Sequence, residues 1–148
     1  MLITNENGKY TVKTGVYTIA MSEECIDFIV AGEVLAGLRP VSAVHTCGEG
    51  DDTNSDAECE GVTLSATEEN GVPTYIWTSK SNLWEKKEYI VRCFEDRFEY
   101  SIRLTGHGAV DSVCYFSGNM AQRRRAPCTF LSSKPTIFLI PPLFRPRS

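Results

Sequence analysis

This chain holds little of what most often carries chemistry. It has two histidines in 148 residues, His45 and His107, and neither has a nearby Ser or Cys in a context that marks a nucleophile. None of its six cysteines falls in a C-x-x-C pair, which removes a zinc ribbon or a thioredoxin-type redox motif. No G-x-G-x-x-G or P-loop pattern occurs, so a nucleotide fold has no support. Repeats and low-complexity tracts are also missing. The late apolar run Ile137-Phe138-Leu139-Ile140 is cut by Pro141-Pro142, and a bilayer-spanning helix needs about twenty residues. No membrane partner is expected.

Acidic residues are missing from one end. All 19 Asp and Glu lie at or before Asp111, whereas six of the 15 basic residues lie after Gly118. The part up to Gly118 sets nine basic against nineteen acidic residues, a charge of −10, and the remaining thirty residues carry +6. An acidic body argues against phosphate-backbone binding, so no nucleic-acid partner is expected.

What the chain does have is strand periodicity. In Tyr75 to Gly118, Tyr89, Val91 and Cys93 alternate with Ile90, Arg92 and Phe94. After Glu95-Asp96-Arg97 the same period of two continues through Phe98, Tyr100, Ile102 and Leu104. Thr105-Gly106-His107-Gly108 turns the chain, and Val110, Ser112, Cys114 and Phe116 alternate once more. Successive strand side chains point to opposite faces, so these runs predict an antiparallel meander joined by hairpins. Upstream, Lys9–Lys13, Val16–Ala20 and Cys25–Val30 read as strands, and Gly32–Thr46 as strand, bend and strand, because Pro40 opposes a continuing helix. Val62–Thr67 and Val72–Ser79 flank Asn70-Gly71, a strong hairpin signal.

The predicted class is all-β, a meander-rich antiparallel β-sandwich over residues 1–118. Residues 119–148 read as a basic, Pro-rich tail, with Thr136–Ile140 as its one edge strand. The run Arg123-Arg124-Arg125 is expected to stay solvated or to face an acidic turn of the body.

Each candidate site has a plainer competitor. Tyr75, Trp77 and Trp84, with Asn82 in the polar segment between the tryptophans, could form a sugar platform, since aromatic faces stack on pyranose C–H faces. Burial in the core is the simpler reading of the rings, and by alternation Tyr75 and Trp77 share a face. Asp52-x-Asn54-x-Asp56-x-Glu58 resembles the opening of a calcium loop, but positions six and twelve hold Ala57 and Thr63 where an EF-hand needs Gly and Glu. A solvated acidic loop is expected, with no metal. Cys47 and Cys59 bracket that loop, and a bridge there is an open alternative in an oxidising compartment. Cys93 and Cys114 read as reduced, buried thiols on strands. The carboxylate pairs Glu23-Glu24, Asp51-Asp52, Glu68-Glu69 and Glu95-Asp96 fall on turns or strand ends, where they cannot face each other across a cleft. No catalytic residue set and no cofactor emerges.

Residues 72–118, with Phe98-Glu99-Tyr100 after an acidic turn and Gly106-His107-Gly108 leading to Tyr115-Phe116-Ser117-Gly118, resemble the galactose-mutarotase-like β-sandwich domains of large glycoside hydrolases. The resemblance implies a non-catalytic accessory domain packed beside a catalytic partner domain in a carbohydrate-processing protein. An autonomous carbohydrate-binding module using Tyr75, Trp77 and Trp84 is the alternative, with a carbohydrate ligand. A small mutarotase-type epimerase, with His45 or His107 as acid, is the third.

Overall fold

The computed structural model describes residues 1–49, 52–57 and 61–116. Twelve strands are found among them: β1 (Leu2–Glu6), β2 (Lys9–Lys13), β3 (Thr18–Met21), β4 (Ile26–Val30), β5 (Glu33–Leu38), β6 (Ala43–Cys47), β7 (Thr53–Asn54), β8 (Thr63–Glu69), β9 (Val72–Ser79), β10 (Lys86–Cys93), β11 (Phe98–Thr105) and β12 (Val110–Cys114). No helix occurs among the described residues, hence none long and apolar enough to cross a membrane.

The strands form three antiparallel sheets, ordered β1-β2-β3-β4-β5, β11-β10-β9-β8 and β12-β6-β7. Asn7-Gly8, Ala31-Gly32 and Asn70-Gly71 each hold two successive positive φ angles. That is the mirror-image turn whose twist matches the strands it joins. The Asn70-Gly71 turn sets Glu69 opposite Val72 and fixes the register back to Thr63 opposite Thr78. With period-two side chains, that register sends Tyr75 and Trp77 to one face of the sheet.

The five- and four-stranded sheets pack face to face as a sandwich. Val12, Ile19, Met21 and Ile26 from the first meet Tyr75, Trp77, Tyr89, Val91 and Cys93 from the second in one buried cluster. Aromatic pairs bridge the layers: Tyr10 lies 5.3 Å from Tyr75, and Tyr17 and Phe28 each lie 5.7 Å from Phe98, centroid to centroid. Two polar clamps tie the sheets at their rims. The Trp77 indole donates to the Ser22 carbonyl at 2.7 Å, and the Tyr17 hydroxyl to the Phe94 carbonyl at 2.6 Å. Each satisfies a group that the core would otherwise strand without water.

The sequence expectations hold for the class and for most strands, with four corrections. The fourth run of the meander does not pair with the third: β12 leaves β11 and joins β6, with Val113 opposite Val44. Gly106 and Gly108, at φ of 146° and 140°, redirect the chain there, in a backbone region that side chains rarely adopt. A Cβ on Gly106 would lie 3.3 Å from the Trp84 ring, and one on Gly108 would lie 3.2 Å from Thr46 Cγ2. Second, Leu2–Glu6 forms a strand, paired with β2 through the Asn7-Gly8 turn. Third, the acidic loop contains the short strand β7, which pairs Asn54 with Thr46. Fourth, Cys114 is exposed, because it rides on β12, while Cys93 is buried as expected. The basic tail, its arginine run, Thr136–Ile140 and Cys59 lie outside the described residues. Cys47 is a free, exposed thiol.

Candidate functional site

The aromatic residues proposed as a sugar platform are core residues. Trp77 is 0% exposed, Tyr75 2% and Trp84 4%. Tyr75 and Trp77 do share a face, and that face is the interior of the sandwich. Trp84 follows the Ser81 turn, where the Ser81 hydroxyl accepts the Leu83 and Trp84 N–H groups. This turn rolls the indole inward, and its N–H donates to the Val44 carbonyl at 2.7 Å. Three buried rings offer no face to a ligand, which overturns the platform in this conformation. Asn82 is exposed, but its amide is engaged: Oδ1 accepts the Ala57 N–H at 2.8 Å, and Nδ2 donates to the Ser55 carbonyl at 2.9 Å. It pins the loop that precedes β8.

That loop delivers the residue the sequence reading misplaced. Asp56 is not solvated; its side chain is 0% exposed and forms an ion pair at 2.7 Å with Lys87, whose side chain is 1% exposed. Oδ2 also accepts the Val44 N–H at 2.7 Å, so the carboxylate caps the backbone of β6. Burial alone would push the Asp56 carboxyl up. Hydrogen bonds from Lys87, Val44 N–H and the Ser81 hydroxyl, with the Lys87 charge, outweigh it and hold the group below the usual carboxylate range. Turned inward on Lys87, Asp56 is not available to a calcium ion in the loop. Among the described residues no group of three or more His, Cys, Asp or Glu converges as metal ligands do.

Around this pair lies a polar hub centred on Ser42, which is fully buried. The Ser42 carbonyl accepts from Tyr89 Oη at 3.0 Å and from Lys87 Nζ at 3.3 Å. Tyr100 Oη donates to the Pro40 carbonyl at 2.8 Å and stands 2.8 Å from Ser42 Oγ. The tyrosine has one proton, so Ser42 donates to Tyr100 while its own oxygen accepts the Phe116 N–H at 2.9 Å. Side chains of β10, β11 and the β9–β10 turn thus hold the backbone of β6 and of the connection that leads into it. This fixes the three-stranded sheet against the sandwich.

The two histidines sit in separate settings among the described residues, and neither lines the cleft described below. His45 Nδ1 accepts the Asp56 backbone N–H at 3.0 Å, which consumes the lone pair and places the ring proton on Nε2. His107 is exposed in the loop between Gly106 and Gly108. An open cleft of about 540 Å³ lies between the β3–β4 turn and the β5–β6 connection, lined by Glu23, Glu24, Arg39, Pro40, Val41 and Val62. Its two carboxylates are sequence neighbours on one turn, not opposed across the opening.

The outer face of the small sheet is different in character. Every residue of β12 is exposed, and Val110, Val113 and Tyr115 stand out as large apolar side chains in solvent. Among the described residues no strand pairs with the edge of β12 away from β6. Comparisons with protein-family models, curated proteins and solved structures find no match for this chain.

Proposed function

We propose that this chain is a non-catalytic β-sandwich accessory domain of a larger carbohydrate-processing protein, seated against a catalytic module. The observation that carries the docking role is β12, an edge strand with exposed Val110 and Val113, followed by exposed Tyr115. An edge that no other described strand pairs, beside apolar side chains, is a template for another polypeptide, and soluble domains ordinarily cover such an edge. The carbohydrate class rests on the resemblance over residues 72–118. The non-catalytic reading is supported by the use of each polar candidate in architecture: Asp56 on Lys87, His45 on a backbone N–H, and Asn82 on the 55–57 loop. An autonomous carbohydrate-binding module lacks exposed rings, since Tyr75, Trp77 and Trp84 are all buried.

Two measurements test the proposal. With the chain present, anomer interconversion of glucose and galactose and hydrolysis of aryl glycosides proceed at the buffer rate. Enzymatic acceleration of either overturns the non-catalytic assignment. In the parent protein, Val113→Lys with Tyr115→Lys preserves the sandwich by far-UV circular dichroism but lowers the melting temperature of the catalytic module. An unaltered melting temperature for that module, or a parent with no carbohydrate-active module, overturns the docking role.

A further inference from the structure

The parity of β10 places Lys87 on the same strand face as Tyr89, Val91 and Cys93, so an ammonium is directed into an apolar core. Held there as ions, Lys87 and Asp56 both bear a desolvation cost that their mutual attraction only partly offsets. The hydrogen bonding of the carboxylate is lopsided. Oδ2 accepts both Lys87 Nζ and the Val44 N–H, each at 2.7 Å, whereas the buried Oδ1 has no hydrogen-bond partner. An orphaned buried oxygen on an ion that is itself buried calls for an explanation.

We infer that Lys87 and Asp56 condense into an intramolecular amide cross-link between Nζ and Cγ. The atoms balance without an outside reagent. A proton passes from the Lys87 ammonium to Asp56 Oδ1, leaving a neutral amine beside a neutral acid, the minor form through which the condensation proceeds. The Nζ lone pair attacks Cγ, and the carbonyl electron pair moves onto Oδ2. The Val44 N–H is already aimed at that oxygen and stabilises the charge developing there. The nitrogen gives up a second proton to the Oδ1 hydroxyl, the Cγ–Oδ1 bond breaks, and Oδ1 departs as water. An ammonium and a carboxylate become an amide and one water.

Held contact replaces the encounter that makes such condensations slow in solution. The product resolves each anomaly of the reactant. The orphaned Oδ1 is the atom that leaves, Oδ2 keeps Val44, the amide N–H keeps the Ser42 carbonyl, and both buried charges disappear. The bond joins residues 31 positions apart and fastens the 55–57 loop covalently to the central strand of the meander.

The full chain, purified, reduced and denatured, is weighed intact and then digested. The expected result is a mass short by one water, with a branched peptide joining Asp56 to Lys87. The variant Lys87→Arg is expected at its full calculated mass with linear peptides only. A wild-type chain at full mass with linear peptides at both positions overturns the inference, as does a lost water that maps elsewhere. Because the wild-type map decides the question alone, failure of the arginine variant to fold leaves the test intact.

Discussion

The Trp84 indole donates to the Val44 carbonyl over 2.7 Å inside the protein, while the Val44 N–H donates to Asp56. One residue of β6 thus has both backbone groups in the neighbourhood of β10, on side chains instead of on strand partners. Replacing Trp84 with Phe keeps most of the ring but strands a buried carbonyl, which costs about 1–3 kcal/mol. Urea denaturation followed by far-UV circular dichroism should show a lower midpoint with an unchanged slope. If stability is unaltered and retention on a polysaccharide column falls instead, Trp84 belongs to a ligand site and its assigned place is wrong.

Gly106 is the point at which the chain abandons the meander. Its φ of 146° and the 3.3 Å approach of a would-be Cβ to Trp84 together oppose any side chain. Gly106→Ala should destabilise by roughly 1–3 kcal/mol, the usual cost of a residue held in a sparsely populated backbone region. The loss should be local in its first effect. Hydrogen exchange should accelerate in β12 and β6 before it does in β9 and β10. Uniform acceleration over all sheets would show that the β11–β12 turn is not a separate element.

How much of this was legible depends on the range of the interaction. The Asn70-Gly71 hairpin and the β9–β10–β11 meander were readable because period, turn and register are written within a few residues. The same signal, Asn7-Gly8, stood between β1 and β2, but the sequence reading passed over it and missed β1. The pairing of β12 with β6 joins segments more than sixty residues apart, and alternation is blind to the choice of partner. Asp56 looked solvated because its neighbours in sequence are polar. The clue lay in its partner: Lys87 has the parity of Tyr89, Val91 and Cys93, and a lysine on a core face requires an anion somewhere else in the chain. Trp77 and Trp84 could be placed in the core by size, but only the tertiary structure supplies Ser22 and Val44 as acceptors.

The four described thiols should separate cleanly by reactivity. Cys47 and Cys114 are exposed, Cys25 is half-buried and Cys93 is buried. Burial pushes the Cys25 thiol up to about 11, assisted by its hydrogen bond to Asp27 and the charge of that carboxylate. Thiolate is the reactive species, so iodoacetamide near pH 8 should modify Cys47 and Cys114 first and Cys25 and Cys93 last. Peptide mapping after timed quenching checks the order. Early labelling of Cys93 would mean that the sandwich opens readily at the β10–β11 end.

Cys93 also carries a pH dependence of defined sign. Burial, the largest cause, pushes its thiol from 9.0 up to about 11, with the neighbouring Tyr17 hydroxyl opposing. Below pH 9 both the folded and unfolded chains keep the proton, and the full contribution to stability is present. As pH rises from 9 to 11 the unfolded chain releases the proton while the folded chain retains it, so stability falls with pH. The shift corresponds to at most about 3 kcal/mol across that window. Tyr75, raised to about 12 mainly by burial, extends the decline upward. Cys93→Val preserves the volume and removes the titration, so its stability should decline less steeply between pH 9 and 11. Guanidinium denaturation of both proteins under reducing conditions across that range makes the comparison. Parallel slopes would mean that Cys93 reaches solvent in the folded state and keeps its ordinary acidity.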